Sequence, residues 1–275
     1  MIVIVCFLLF AAAVTALFAR FVSAGVGWLL PVFLLAFLLG HGLYVLFWWL
    51  LSLPVDRKKP IEKQNPRSLR ACVLTGRLLC LYGGIRPRLV GEEKLPKDRP
   101  FLLVSNHRSL FDPLTAIYLF RRCRLAFVSK PSNLAIPLVG DVMYAMGCLA
   151  IDRENDRAAL KTILTAADYL KRGVCSMAIY PEGTRSRNGE LLPFHAGSFK
   201  IAQRAGVPLV IACTQGTENM KQRLLRRGKP VTVTVLQVLP PETVKAMSTQ
   251  ELAALARSAI QNCLSGEKEE QEAAL

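Results

Sequence analysis

Apolar residues run almost unbroken through the first 53 positions of the chain. From residue 68 onward, short apolar runs alternate with helically periodic stretches. Met1 to Ala19 carries no charge, Arg20 interrupts, and Phe21 to Leu53 is uncharged apart from His41. The second stretch exceeds the roughly 20 apolar residues that cross a bilayer, and the first is close to that length. Arg20, Ser23, Gly25, Gly27 and Pro31 break the periodicity between them, which predicts a two-helix membrane hairpin over residues 1–53. A cleaved signal peptide is the rival for residues 1–19, although the usual positive start is missing. Trp48 and Trp49 suit an interfacial aromatic belt. The cluster Arg57, Lys58, Lys59, Lys63, Arg67 and Arg70 then marks the cytoplasmic side.

Residues 54–66 are polar and charged and read as a basic linker. Residues 67–264 form the catalytic-sized domain, and 265–275 an acidic, disordered tail. A helix is predicted over Ser68 to Leu81. Strands follow at Arg86–Val90, Phe101–Val104, Leu125–Val128, Cys148–Ile151, Val174–Ile179, Leu209–Cys213 and Val231–Val238. Several are apolar without alternation, as strands covered on both faces are. Helices are predicted over Pro113–Phe120, Asp156–Lys171, Ser198–Ala205 and Thr249–Leu264, the last opened by a capping box of Ser248 and Glu251. Asn188-Gly189 is a turn signal. This alternation predicts an α/β fold, with a central, largely buried sheet flanked by helices, preceded by the membrane hairpin.

Charge narrows the partners. The formal net charge is +15, which suits either nucleic acid or an anionic lipid surface, an acidic carrier protein or a phosphorylated substrate. No nucleic-acid-binding motif is present, and the apolar N-terminus favours the second group, so no nucleic acid partner is expected. Arg121, Arg122 and Arg124, and the cluster Lys221, Arg223, Arg226, Arg227 and Lys229, are candidate docking patches for membrane or carrier, or solvated faces. The eight cysteines are scattered, without Cys-x-x-Cys or a histidine at metal spacing. Reduced, buried thiols are expected, and no metal site.

Two blocks carry the chemistry. Asn106-His107-Arg108-Ser109-Leu110-Phe111-Asp112 follows the strand Phe101–Val104 and precedes Pro113, a good first helical residue. A loop that folds back can bring the Asp112 carboxylate onto one imidazole nitrogen of His107, leaving the other to take a proton. Asp112 as a helix N-cap is the plainer alternative, and it can do both. The second block, Glu182-Gly183-Thr184-Arg185, leaves the strand Val174–Ile179 through Tyr180-Pro181. Gly183 opens the backbone to a ligand, and Arg185 offers a planar fork for two phosphate oxygens. Glu182 is placed either to orient that arginine or to bind a substrate hydroxyl. A charged surface turn is the alternative for the whole block, and Arg187 reads as a solvated neighbour. Ser105, Ser109 and Cys148 lie in range as nucleophiles, but no Gly-x-Ser-x-Gly elbow supports them.

Together these blocks resemble the glycerolipid acyltransferase family that includes 1-acyl-sn-glycerol-3-phosphate (lysophosphatidic acid) acyltransferases. The family pattern Asn-His-x-Ser-x-x-Asp matches Asn106, His107, Ser109 and Asp112. A second block matches Lys130, Pro137, Gly140, Gly147 and Ile151-Asp152-Arg153, and Glu-Gly-Thr-Arg matches residues 182–185. The stretch Leu192-Pro193-Phe194 to Val207-Pro208 is also similar, and the likeness spans about residues 85–217. It departs from the family at Ile211, where a second proline is usual, and at His195, where lysine is usual.

The resemblance implies a membrane-bound enzyme that moves a fatty acyl group from a thioester to the sn-2 hydroxyl of lysophosphatidic acid. His107 and Asp112 would be catalytic. Asn106, Ser109, Lys130, Glu182, Gly183, Thr184 and Arg185 would form the substrate site, with Lys130 on phosphate or oxyanion. No cofactor or metal is implied, only acyl-CoA or acyl-carrier protein as co-substrate and membrane lipids as surroundings. Two alternatives stand beside it: another lysolipid acceptor, or a membrane lipid- or carrier-binding protein without turnover.

Overall fold

The computed structural model describes residues 2–22, 25–53, 55–82, 84–186, 190–217 and 231–272. The basic cluster 221–229, Arg187 and the Asn188-Gly189 turn signal lie outside the described residues. The chain forms two compact units, 1–56 and 57–275.

In the first unit, α1 (Ile2–Phe21) packs on α2 (Leu29–Ser52), with a single 3₁₀ turn at Val26–Trp28 leading into α2. The seam is aromatic. The Phe7 ring lies 3.9 Å from the His41 ring and edge-on to Phe37 and Tyr44. Gly40 makes room for Phe7, because a Cβ there would lie 2.9 Å from Phe7 Cδ1. Leu9, Leu17, Leu30, Leu34, Leu35, Leu38 and Leu39 are all exposed, so both helices are apolar around much of their circumference. An all-round apolar helix belongs in a membrane or a large core. Val26–Ser52 is long and apolar enough to cross a bilayer, and the apolar stretch Phe7–Phe21 is shorter.

In the second unit, seven strands among the described residues form one sheet. They are β1 (Arg88–Val90), β2 (Leu102–Ser105), β3 (Leu125–Ser129), β4 (Leu149–Ala150), β5 (Ser176–Ile179), β6 (Leu209–Gln215) and β7 (Thr232–Leu239). Their spatial order is β1-β7-β6-β2-β5-β3-β4. Every pairing is parallel except β6 with β7, so β1 and β7 run against the other five. β2 and β5 are buried at every position, β3 and β6 at all but the last, matching their unalternating apolar sequences. Phe101, Phe120 and Phe199 are almost wholly enclosed, each worth up to about 3 kcal/mol in transfer from water.

The helices of this unit are α3 (Pro66–Tyr82), α4 (Asp112–Leu119), α5 (Pro131–Leu134), α6 (Val139–Ala145), α7 (Asp156–Lys171), α8 (Lys200–Ala205, entered through a 3₁₀ turn at Ala196–Phe199), α9 (Pro241–Ala246) and α10 (Thr249–Glu272). α7 is amphipathic, burying Ile163, Ala166, Ala167, Tyr169 and Leu170, and its N-cap Asn155 accepts from Ala158 N. The expected capping box of α10 is present, with Ser248 N donating to Glu251 and Glu251 N to Ser248 Oγ. α10 stays helical to Glu272, past the predicted end at Leu264.

From Arg57 on, the segment read as a linker is bonded to the sheet domain. Arg57 pairs with Asp141 at 2.6 Å and donates to Leu134 O, and Tyr144 OH donates to Lys59 O. Tyr169 OH accepts from Ile61 N, and Arg172 donates to Ile61 O. Gln64 is buried and donates to the carbonyls of Met146 and Arg124. These bonds make residues 57–65 a strap instead of a free tether.

Candidate active site

Parallel strands end together, so the loops after them meet along one edge of the sheet. Here β2 delivers Asn106 and His107, β3 Lys130, β4 Arg153, β5 Tyr180 to Arg185, and β6 Thr214.

Asn106 is wholly buried, and its amide donates to Thr214 O and accepts from Thr214 N, both at 2.8 Å. The side chain thus adds one rung to the β2–β6 ladder. Beside it, Ser105 Oγ lies 3.0 Å from Thr214 Oγ1. Asn106, expected to bind substrate, is a splint beneath the site, because Thr214 occupies its amide.

His107 follows directly. Its Nδ1 lies 2.8 Å from Asp112 Oδ2, and the same oxygen accepts from Arg108 N and Ser109 N at 2.7 Å each. Asp112 is the first residue of α4 instead of its cap residue, which is Phe111, and its carboxylate turns back into the loop. The plainer capping alternative therefore does not describe it. Three donors on one oxygen of a buried carboxylate fix that oxygen and orient the imidazole, so that Nδ1 carries the proton and Nε2 the lone pair. Ser109 shapes this loop as well, its Oγ accepting from Phe111 N.

One face of the ring is covered. Tyr180 stacks on His107 with centroids 4.3 Å apart and planes 15° from parallel, and Phe127 continues the stack behind it. Burial, and then the charge of Asp112, pushes the Tyr180 phenol up and keeps it neutral.

Glu182 is buried and grips two backbones: Oε1 accepts from His107 N at 2.6 Å and Oε2 from Leu192 N at 3.0 Å. Ser186 N closes the arrangement on His107 O. Burial raises the Glu182 carboxyl above its ordinary range, against the two amides that lower it. Neither expectation for Glu182, orienting Arg185 or binding a hydroxyl, matches this geometry, since both carboxylate oxygens are engaged by amides.

Gly183 has φ +75°, and a Cβ there would overlap the Arg153 guanidinium and lie 3.1 Å from His195 Nε2. Arg153 also approaches Tyr180 O at 3.5 Å, and burial lowers its pKa. Thr184, Arg185 and Lys130 are exposed.

The chain matches the Acyltransferase family model over residues 86–215. It is 34% identical to the 1-acyl-sn-glycerol-3-phosphate acyltransferase of Escherichia coli, over 68% of this chain and 75% of that protein. A Chlamydomonas reinhardtii protein of the same name is 32% identical over 78% of this chain, which spans 62% of that longer relative. The chain is a member of the glycerolipid acyltransferase family. The crystal structure of the 1-acyl-sn-glycerophosphate (LPA) acyltransferase PlsC from Thermotoga maritima superimposes with a TM-score of 0.61 at 25% identity, covering 82% of this chain and 89% of that one.

The acyltransferase motifs thus occupy three settings. His107 and Asp112 are in contact, Asn106, Ser109 and Glu182 hold the loops, and Lys130, Gly183, Thr184 and Arg185 lie at or near the surface of the same sheet edge. Sequence reasoning passed over Tyr180, Arg153, His195 and Thr214 as site residues. Arg153 carried a signal as the last residue of Ile151-Asp152-Arg153, and His195 as a departure from the family's usual lysine.

Proposed function

We propose that this acyltransferase moves a fatty acyl group from a thioester to the sn-2 hydroxyl of lysophosphatidic acid, giving phosphatidic acid, with His107 as the base. The observation that carries the reading is the His107–Asp112 contact, which leaves Nε2 without a hydrogen bond to any described residue. Nε2 takes the hydroxyl proton as the acceptor oxygen attacks the thioester carbonyl. Asp112 stabilises the imidazolium, which returns the proton to the sulfur as the C–S bond breaks. Arg153 and Arg185 hold the acceptor's phosphate, and Lys130 serves phosphate or the developing oxyanion. Acyl-CoA and acyl-carrier protein both present the thioester required.

The apolar hairpin supports a membrane location for residues 1–53, and the basic stretch after it supports a cytoplasmic side for the acyltransferase domain. Substrate and product then stay in the bilayer. Release of the intact protein by alkaline carbonate would refute that anchoring.

The test is acyl transfer by detergent-solubilised protein offered lysophosphatidic acid with acyl-CoA or, separately, acyl-carrier protein. His107→Ala is expected to lower turnover by about 10²–10⁴-fold or more, since one group both removes and returns the proton. Product formed equally by the variant would remove His107 from the chemistry. Absence of product with either donor would remove lysophosphatidic acid as acceptor.

A further inference from the structure

We propose that His195 is a ligand of the acceptor's phosphate, working beside Arg153, and that its protonation sets how acceptor affinity varies with pH. This deepens the reading above and rests on it. Three segments converge at Gly183. The loop after β4 supplies Arg153, the segment after β5 supplies Gly183 itself, and the turn before α8 supplies His195. The position of His195 is fixed by its backbone, with N donating to Pro181 O at 2.9 Å and O accepting from Ser198 N at 3.0 Å. The Arg153 guanidinium fills the space that the missing Gly183 side chain leaves, and His195 Nε2 lies beside it.

Neither group is neutralised there. No carboxylate of a described residue pairs with Arg153 or His195. Of the charged groups around His195, Arg153 is the one whose charge acts on it. From the packed segment, Glu182 turns its carboxylate to the His107 and Leu192 amides, and Arg185 is exposed. On the far side, Arg257 of α10 donates to Leu191 O and Leu192 O. A half-buried guanidinium and an imidazole nitrogen converging without an anion match a phosphomonoester, which brings the negative charge both lack.

His195 is itself exposed, and what desolvation it does suffer, then repulsion from Arg153, lowers its pKa below the ordinary 6.5 in the free protein. A bound phosphate raises it. The favourable contribution is therefore complete below the free-protein pKa and fades as pH climbs toward the bound value.

The experiment measures acceptor KM from pH 5.5 to 8.5 for wild type, His195→Lys and His195→Gln. Lysine keeps its charge throughout this range, and glutamine never has one. Dividing each KM by that of the lysine variant cancels the ionisation of lysophosphatidic acid itself. The wild-type ratio should be near one at the acid end and rise about three- to fivefold at the alkaline end, the scale of a partly solvated charge pair. The glutamine ratio should sit at the raised level throughout, with kcat little altered in either variant.

A flat wild-type ratio, or a glutamine variant that binds like wild type at pH 5.5, would overturn the assignment while the acyltransfer reading stands. Failure of wild type to acylate lysophosphatidic acid would overturn both.

Discussion

Replacing Glu182 by glutamine separates a substrate ligand from a clamp. The carboxylate offers one acceptor oxygen to His107 N and the other to Leu192 N. An amide has only one such oxygen, so its NH₂ must face a backbone N–H. That leaves a buried donor unpaired, at a cost of about 1–3 kcal/mol. The cost is partly offset, because burial already disfavours the ionised carboxyl in the folded state. We therefore expect a net loss of about 1–2 kcal/mol, which lowers the melting temperature by roughly 2–8 °C for a domain of this size.

The sign with pH follows from the same shift. The folded-state pKa lies above the ordinary 4.5, so this group's contribution is complete below that value and declines as pH rises through the folded pKa. The glutamine variant lacks that slope. Turnover suffers because the lost bond is on the backbone of the base, and misplacement by up to 1 Å costs about ten- to a hundredfold in kcat. Melting followed by circular dichroism and kcat at saturating substrates give both numbers. A tenfold rise in acceptor KM with unchanged melting and kcat would refute the clamp and make Glu182 a substrate ligand.

Asn106→Asp sets a carboxylate oxygen against Thr214 O in a site closed to water, and should cost about 3 kcal/mol or more, read as a fall in the melting temperature. An unchanged melt would refute the splint. Gly183→Ala combines a left-handed backbone with a clash on Arg153, so stability should fall by about 1–2 kcal/mol and acceptor KM rise about tenfold. Arg185→Lys should raise acceptor KM by about tenfold with kcat within about twofold, because lysine lacks the planar fork. Wild-type acceptor KM in that variant would take Arg185 out of the phosphate site.

Several strands were legible in the sequence as apolar runs, while β1 is short and largely exposed and β7 alternates, and α7 matches the predicted helix Asp156–Lys171. The His107–Asp112 contact was legible as one of two readings, since a loop between a strand and Pro113 can fold back, with a helix cap as the alternative. What escaped was set by distant partners. Nothing local to Asn106 announces Thr214, 108 residues away, and nothing in Tyr180 announces a ring stacked on His107. The short helices α5 and α9 each open on a proline and run only 4 and 6 residues, too few to establish a period. Glu182 was read as orienting Arg185 or binding a substrate hydroxyl, and the partners it has in the fold are the distant His107 and Leu192 amides.

The strap at residues 57–65 has a consequence for how the chain is made. Its partners lie far downstream: Arg57 waits for Asp141, Gln64 for Met146 and Ile61 for Arg172. During synthesis from the N-terminus the apolar helices emerge first, while the strap has nothing to bind. It is secured only after α7 has emerged, several seconds later at about 5–20 residues per second. Formation of the apolar helices and closure of the sheet domain are thereby separated in time, and the strap's partners are complete before β6 and β7 have been made.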